Sequence, residues 1–124
     1  MEQILLVDDD QQVLRYLTEI LQDAGYDTVA CSRFQDARAQ LATTRPALLL
    51  TDIRLGAYNG IQLAFFAQDH HPGLPVIVLT GYEDPTLREE ARRSGAEFLV
   101  KPVPGAALLE TIRKLLDAGA TTER

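Results

Sequence analysis

The chain has 124 residues, of which 46% are hydrophobic and 24% are charged. These values are typical of one globular domain, and a chain this long needs no disulfide or structural metal to stabilise its core. The net charge of −6 and the scattered basic residues argue against nucleic-acid binding. No apolar run approaches the ~20 residues needed to cross a bilayer, and no basic leader precedes the first apolar stretch. A cytoplasmic location is therefore expected.

Short apolar runs without polar alternation occur at intervals along the chain. Such runs are typical of strands that are covered on both faces of a parallel sheet. In chain order, the predicted strands are 4–7, 26–30, 48–50, 76–79 and 98–100. The second of these is the most polar, which is typical of an edge strand.

Apolar residues at helical spacing fill the segments between these runs. The five predicted helices are marked by Val13, Leu17 and Ile20; by Phe34, Ala37 and Leu41; by Ile61, Ala64 and Phe65; by Leu87 and Ala91; and by Leu108, Ile112 and Leu115. Ser32 with Gln35 predicts a capping box for the second helix, and Asp84-Pro85 predicts the start of the fourth. Strict alternation of strands and helices predicts an α/β fold with helices on both faces of a parallel sheet. We expect a domain over 1–118 and a flexible tail over 119–124.

Polar residues follow the predicted strands at the points where these end. Asp8-Asp9-Asp10 follows the first strand, Asp52 ends the third, Thr80 ends the fourth and Lys101 follows the fifth. The carboxyl ends of parallel strands meet at one edge of a sheet, where such folds bind ligands. Clustered carboxylates would repel one another, and a divalent cation with hard oxygen ligands, such as Mg²⁺, would relieve that repulsion.

A carboxylate in such a site can also act as a nucleophile. Attack by Asp52 on phosphorus would give an aspartyl phosphate. Lys101 could then bind a phosphoryl oxygen as a point charge, and the Thr80 hydroxyl could donate to another.

These residues give the chain a clear resemblance to the receiver domains of two-component response regulators. The matching segments are Ile4-Leu5-Leu6-Val7-Asp8-Asp9-Asp10, Leu50-Thr51-Asp52-Ile53-Arg54, Asn59-Gly60, Leu79-Thr80-Gly81 and Val100-Lys101-Pro102. The resemblance implies a flavodoxin-like, doubly wound sheet of five parallel strands in the order 2-1-3-4-5, with five helices. It also implies a cis peptide bond between Lys101 and Pro102.

The resemblance further implies a function in signalling, with no more than weak self-phosphorylation and self-dephosphorylation chemistry. Asp52 would accept a phosphoryl group from a histidine kinase or a histidine phosphotransfer protein. Mg²⁺ or Mn²⁺ would be bound by Asp9, Asp52 and the backbone carbonyl of Arg54, with Asp8 acting largely through water. Thr80 and Phe98 would form the switch that changes the face of the fourth helix, the fifth strand and the fifth helix. That face would bind an output partner or a second copy of the chain.

Two departures from the family pattern stand out. The loop after Asp52 reads Leu55-Gly56-Ala57-Tyr58, where the family usually has a Met-Pro-Gly-like stretch. Phe98 occupies a position that is usually tyrosine or another aromatic, and it lacks a hydroxyl. We therefore expect its buried state to cost less than that of a tyrosine and to be populated before phosphorylation.

Other interpretations of the acidic residues remain open at this point. Asp8-Asp9-Asp10 could simply cap the first helix. A Mg²⁺-dependent phosphohydrolase could use an aspartyl nucleophile, but the haloacid-dehalogenase type needs a second acid two residues later, where this chain has Arg54. A flavodoxin-like binder would need a phosphate-binding loop after the first strand, where three aspartates would repel phosphate. A non-phosphorylated, receiver-like scaffold would not need the full set of polar residues.

Overall fold

The computed structural model describes residues 2–122, with side chains described as far as Ala118. Its main sheet has five parallel strands: β1 (Gln3–Val7), β2 (Asp27–Cys31), β3 (Leu48–Asp52), β6 (Val76–Thr80) and β7 (Glu97–Val100). Two short strands outside this sheet, β4 (Arg54–Leu55) and β5 (Tyr58–Asn59), lie between β3 and β6 along the chain. The order in the main sheet is β2-β1-β3-β6-β7. Because β6 and β7 are the predicted fourth and fifth strands, the predicted order 2-1-3-4-5 is confirmed.

Five helices cover the two faces of this sheet. They are α1 (Gln11–Asp23), α2 (Phe34–Thr43), α3 (Gly60–His70), α4 (Pro85–Arg93) and α5 (Gly105–Thr122). Alternate strand residues face opposite cores. Leu5 belongs to the core that contains residues of α2, α3 and α4, whereas Leu6 belongs to the core that contains residues of α1 and α5. The described helices include none that is long and apolar enough to cross a membrane. α5 extends to Thr122, and residues 123–124 lie outside the described part of the chain. The flexibility expected of residues 119–124 is not tested and stays a prediction.

The start of α4 agrees with the prediction, whereas the capping box predicted for α2 is wrong. The Asp84 carboxylate accepts hydrogen bonds from the backbone N–H groups of Thr86 and Leu87, and Pro85 is the first helical residue. In α2 the capping residue is Arg33, which makes no side-chain capping bond. Phe34, the first residue of that helix, is buried in the core. Packing of this ring, rather than a side-chain cap, therefore marks where α2 begins.

A short antiparallel ribbon follows Asp52, and the sequence patterns do not reveal it. Its strands are β4 (Arg54–Leu55) and β5 (Tyr58–Asn59). Two residues per strand are too few for a period-2 pattern to be visible. Gly56 has φ +65° at the first position of the two-residue turn, as a type II′ hairpin requires. We call β4 and β5 with their turn the β4–β5 ribbon.

Candidate functional site

The carboxyl edge of the sheet brings three carboxylates together. Asp8 and Asp9 directly follow β1, and Asp52 is the last residue of the neighbouring strand β3. Ligand oxygens of these three side chains all lie within 4.8 Å of one another. Asp8 and Asp52 are buried, whereas Asp9 is exposed. Asp8 and Asp52 therefore lie on the buried side of the cluster, and Asp9 lies on its solvent-exposed side.

Lys101 supplies the positive charge at this edge. Its Nζ donates to Asp52 Oδ1 at 2.8 Å and lies 3.6 Å from Asp8 Oδ2. Burial lowers the pKa of Lys101, but the hydrogen bond to Asp52 and the charges of both aspartates outweigh this and raise it above its ordinary value. Lys101 is therefore a fixed cation beside Asp52. The Lys101–Pro102 peptide bond is cis, as predicted.

The two oxygens of Asp8 have different surroundings. Oδ1 accepts a hydrogen bond of 2.9 Å from the backbone N–H of Asp10. Oδ2 is buried and has no hydrogen-bond partner within the described chain. Burial raises the pKa of Asp8, and the charge of Asp52 adds to this effect. Oδ2 forms an ion pair with the Lys101 ammonium at 3.6 Å but accepts no hydrogen bond, and burying such an oxygen is costly. The donor set therefore fits a hard cation near this atom, with water between the two.

Asp10, the third aspartate of the run, serves a different purpose. Its Oδ1 accepts from the backbone N–H groups of Gln12 at 2.9 Å and Val13 at 3.4 Å, which makes it the cap of α1. Asp8 and Asp9 make no such capping bond in the described structure. The interpretation in which all three aspartates are helix caps therefore applies to Asp10 alone.

On the side away from Lys101, Asp52 is held by the residues that follow it in the chain. Asp52 Oδ2 accepts from the backbone N–H of Arg54 at 3.2 Å. Gly60, at the start of α3, lies so close that a Cβ there would be 2.3 Å from the Asp52 carbonyl oxygen. Sequence reasoning used Gly60 only as part of a matching segment. No local pattern signals that its missing side chain makes room for the Asp52 backbone.

Thr80 ends β6 beside Asp52, but its hydroxyl is turned towards the following loop. Thr80 Oγ1 donates to the backbone carbonyl of Tyr82 at 3.3 Å. Arg54 reaches the same residue, since Arg54 Nη2 donates to the Tyr82 hydroxyl at 3.3 Å and its guanidinium lies 5.7 Å from the ring centroid. Tyr82 is not among the site residues predicted from the sequence. The available signal was its place two residues after Thr80, which sets it at the same sheet edge.

Phe98 lies on β7 with its ring in the core, where it is 7% exposed. Phe98 is paired with Val78, and Val78 and Thr80 point to the same face of the sheet. The ring therefore lies on the same face of the sheet as the Thr80 side chain. The expectation that Phe98 turns towards Thr80 before phosphorylation stays a prediction.

Comparisons with known proteins agree with this geometry. The model of the response regulator receiver domain family matches residues 4–113. The C4-dicarboxylate transport transcriptional regulatory protein DctD of Pseudomonas aeruginosa is 37% identical over 120 residues, which cover 93% of this chain and 25% of DctD. The chain spans about a quarter of the length of the curated relatives it matches.

Solved structures give the same result. The response regulator receiver domain protein (CheY-like) from Methanospirillum hungatei JF-1 is similar with a TM-score of 0.93 and 30% identity, covering 98% of both chains. The beryllofluoride-activated NtrC4 receiver domain dimer is similar with a TM-score of 0.89 and 26% identity, covering 96% of this chain and 99% of the other. The chain belongs to the receiver domain family of two-component response regulators, a family of signal-transduction proteins.

Proposed function

We propose that this domain accepts a phosphoryl group on Asp52 from a histidine kinase or a histidine phosphotransfer protein. The observation that carries the proposal is the fixed position of the Asp52 carboxylate between the Lys101 ammonium and the Arg54 N–H, beside Asp8 and Asp9. A bond would form between a carboxylate oxygen of Asp52 and phosphorus as the bond from phosphorus to the donor nitrogen breaks. Lys101 would then bind a phosphoryl oxygen.

The carboxylate cluster fits a divalent cation, Mg²⁺ or Mn²⁺. The proposed ligands are Asp9, Asp52 and the backbone carbonyl of Arg54, with Asp8 acting largely through water. Such an ion would neutralise charge on the phosphoryl oxygens during transfer. Asp8 Oδ2 is buried, accepts no hydrogen bond within the described chain and lies 3.6 Å from the Lys101 ammonium. This supports the assignment, since a second positive charge nearby would further offset the cost of its burial.

The proposed switch links Thr80 to Phe98. To donate to a phosphoryl oxygen, the Thr80 hydroxyl would have to leave the carbonyl of Tyr82, which would release the loop between β6 and α4. Phe98 lies on the same face of the sheet as Thr80, so its ring would turn into the space that the displaced hydroxyl leaves behind. The affected surface would comprise α4, β7 and α5.

This surface is proposed to bind an output partner or a second copy of the chain. The similar NtrC4 receiver domain is described as a dimer, which supports the second of these. The proposed partners do not include nucleic acid or a membrane, and the proposed location is the cytoplasm. The proposed chemistry is limited to weak self-phosphorylation and self-dephosphorylation. No observation favours the phosphohydrolase, because Arg54 stands where a second acid would be needed and contacts Tyr82.

Intact mass after incubation with acetyl phosphate and Mg²⁺ tests the proposal. The wild-type protein should gain the mass of one phosphoryl group, and Asp52→Asn should not. Asp69→Asn is a suitable control, because Asp69 is an exposed aspartate on α3. If Asp52→Asn gains a phosphoryl group at the wild-type rate, the assignment of Asp52 is wrong. If the wild-type protein gains none, the scaffold interpretation replaces it.

A further inference from the structure

The β4–β5 ribbon directly follows Asp52 and carries Arg54, whose backbone contributes to the candidate site. Each strand of the ribbon has only two residues. A two-stranded hairpin is marginally stable at best when it stands alone in water, even with longer strands. The conformation of Arg54 must therefore depend on contacts between the ribbon and the rest of the domain.

Two side chains near the turn of the ribbon provide such contacts. Leu55 is buried in the core shared by α2, α3 and α4. Its partner across the ribbon, Tyr58, stacks on Phe34 of α2 with a centroid distance of 4.4 Å and an interplanar angle of 12°. Stacked aromatic pairs stabilise beyond the area that they bury. One strand is thus fixed by burial in the core and the other by ring stacking.

The base of the ribbon is fixed to the site itself. Arg54 pairs with Asn59 across the ribbon, and its N–H donates to Asp52 Oδ2. Asn59 in turn caps α3 through a reciprocal pair of hydrogen bonds with Gln62. Movement at the turn would therefore be transmitted to the Arg54 peptide, because only one residue on each strand separates the turn from the base.

We propose that Tyr58 is a positioning residue whose stack on Phe34 orients the Arg54 backbone for the site. The inference rests on the proposed function, in which the Arg54 carbonyl is a ligand of Mg²⁺. It explains why a tyrosine that is 42% exposed has one ring face covered by a buried phenylalanine. It also assigns a role to the segment 55–58, which departs from the usual pattern of the family.

The experiment is an NMR titration of the unphosphorylated protein with Mg²⁺, following the backbone amides of residues 52–60. Tyr58→Leu should weaken Mg²⁺ binding about two- to tenfold, the range expected for loss of an aromatic pair. It should also shift the Arg54 amide resonance before any Mg²⁺ is added. Tyr58→Phe should behave as wild type, because the stack uses the ring and not the hydroxyl.

Phe65→Leu is the matched control, since Phe65 is an aromatic residue of α3 with a similar exposure of 45%. It should leave both Mg²⁺ affinity and the Arg54 amide unchanged. Phe34→Leu adds a second arm, because it removes the other half of the stack. The double variant Phe34→Leu/Tyr58→Leu should bind Mg²⁺ no more weakly than Tyr58→Leu alone, even if the second substitution lowers overall stability further.

The outcomes separate this inference from the proposed function. If the wild-type protein binds Mg²⁺ and Tyr58→Leu binds it equally well, the positioning role is wrong and the proposed function stands. A Tyr58→Phe variant as weak as Tyr58→Leu also overturns the role of the stack. If the wild-type protein does not bind Mg²⁺ at this cluster, both the metal site and the inference fail.

Discussion

The guanidinium of Arg88 lies over the ring of Phe98, 4.8 Å from its centroid. The same guanidinium donates to the Glu83 carboxylate through Nε at 3.0 Å and through Nη2 at 2.8 Å. Glu83 belongs to the loop that follows Thr80, so this arrangement connects α4 and that loop to the buried ring. We call these three residues the Arg88 bridge. It covers the one aromatic side chain that is proposed to respond to phosphorylation.

We predict that Arg88→Ala uncovers Phe98. The NMR resonances of the Phe98 ring should change, and the free energy of unfolding in urea should fall slightly, as for an exposed cation–π pair. Arg92→Ala is the control, because Arg92 forms an exposed ion pair with Glu89 on the same helix. The ring resonances should not change in that variant. Ring resonances that are unchanged in Arg88→Ala would contradict a bridge between Arg88 and Phe98.

The Arg88 bridge should also depend on pH. The hydrogen bond from Arg88 holds the pKa of Glu83 below its ordinary value of 4.5. A lowered pKa in the folded state means that the stabilisation is present above the unfolded-state pKa and is lost as pH falls through the folded-state pKa. We expect the bridge to be intact at neutral pH and to open only at pH values below 4.5. An NMR titration of the Glu83 carboxyl carbon tests this, and Arg88→Ala should return its pKa towards the ordinary value.

Asp9 should contribute mainly to Mg²⁺ binding, and Asp10 should contribute mainly to the stability of α1. Asp9→Ala should weaken Mg²⁺ binding more than Asp10→Ala does, because Asp9 lies in the carboxylate cluster. Asp10→Ala should instead lower the free energy of unfolding by about 0.5–2 kcal/mol, since it removes the cap of α1. Mg²⁺ titration and urea unfolding of both variants provide the comparison. Equal effects of the two substitutions on Mg²⁺ binding would remove the distinction.

Arg54 should set the lifetime of the acyl phosphate rather than permit its formation. Its side chain contacts Tyr82, and these two residues lie after Asp52 and Thr80 at the same edge of the sheet. Arg54→Ala should shorten the half-life, because water would reach Asp52 more easily, and should leave Mg²⁺ affinity unchanged, because the proposed ligand is a backbone carbonyl. Tyr82→Phe should have a smaller effect in the same direction. A half-life that is unchanged in Arg54→Ala would exclude this role.

Gly60 offers a test of packing that alters no charge. Gly60→Ala would place a carbon 2.3 Å from the Asp52 carbonyl oxygen. We expect a loss of about 1–3 kcal/mol in the free energy of unfolding, as for an overpacked core, and slower phosphorylation by acetyl phosphate. Gly81→Ala is the control, since a Cβ at that position meets nothing within 4 Å. Wild-type phosphorylation in Gly60→Ala would show that the Asp52 backbone tolerates displacement.

The sequence predicts the sheet and the convergence of the acidic residues for a physical reason. Buried parallel strands are nearly uniform apolar runs, so their ends are visible as the first polar residues after each run. The order of the strands then places Asp8, Asp9, Asp52 and Lys101 at one edge. The distinct role of Asp10 is also predictable, because a capping residue acts through its immediate neighbours.

Features that depend on contacts distant in the chain were not predictable from the sequence. α2 begins at Phe34 without a side-chain cap, and the burial of this ring depends on contacts that local capping signals do not show. The β4–β5 ribbon is too short to have a periodicity. The contact of Arg54 with Tyr82 spans 28 residues and depends on how two loops meet. Side-chain directions in loops follow from such packing rather than from propensity.

The carboxylate cluster and Lys101 together have a simple charge balance. With Asp8, Asp9 and Asp52 ionised, three negative charges face one ammonium, so two negative charges remain uncompensated. A monovalent cation would neutralise only half of this remainder, whereas a divalent cation would neutralise all of it. In the proposed metal site, the charge of Lys101 would therefore count together with the aspartates in deciding how much cation charge balances the cluster. Replacing this lysine with a neutral residue would change the cation charge that balances the site, even though a protonated lysine cannot itself coordinate a metal.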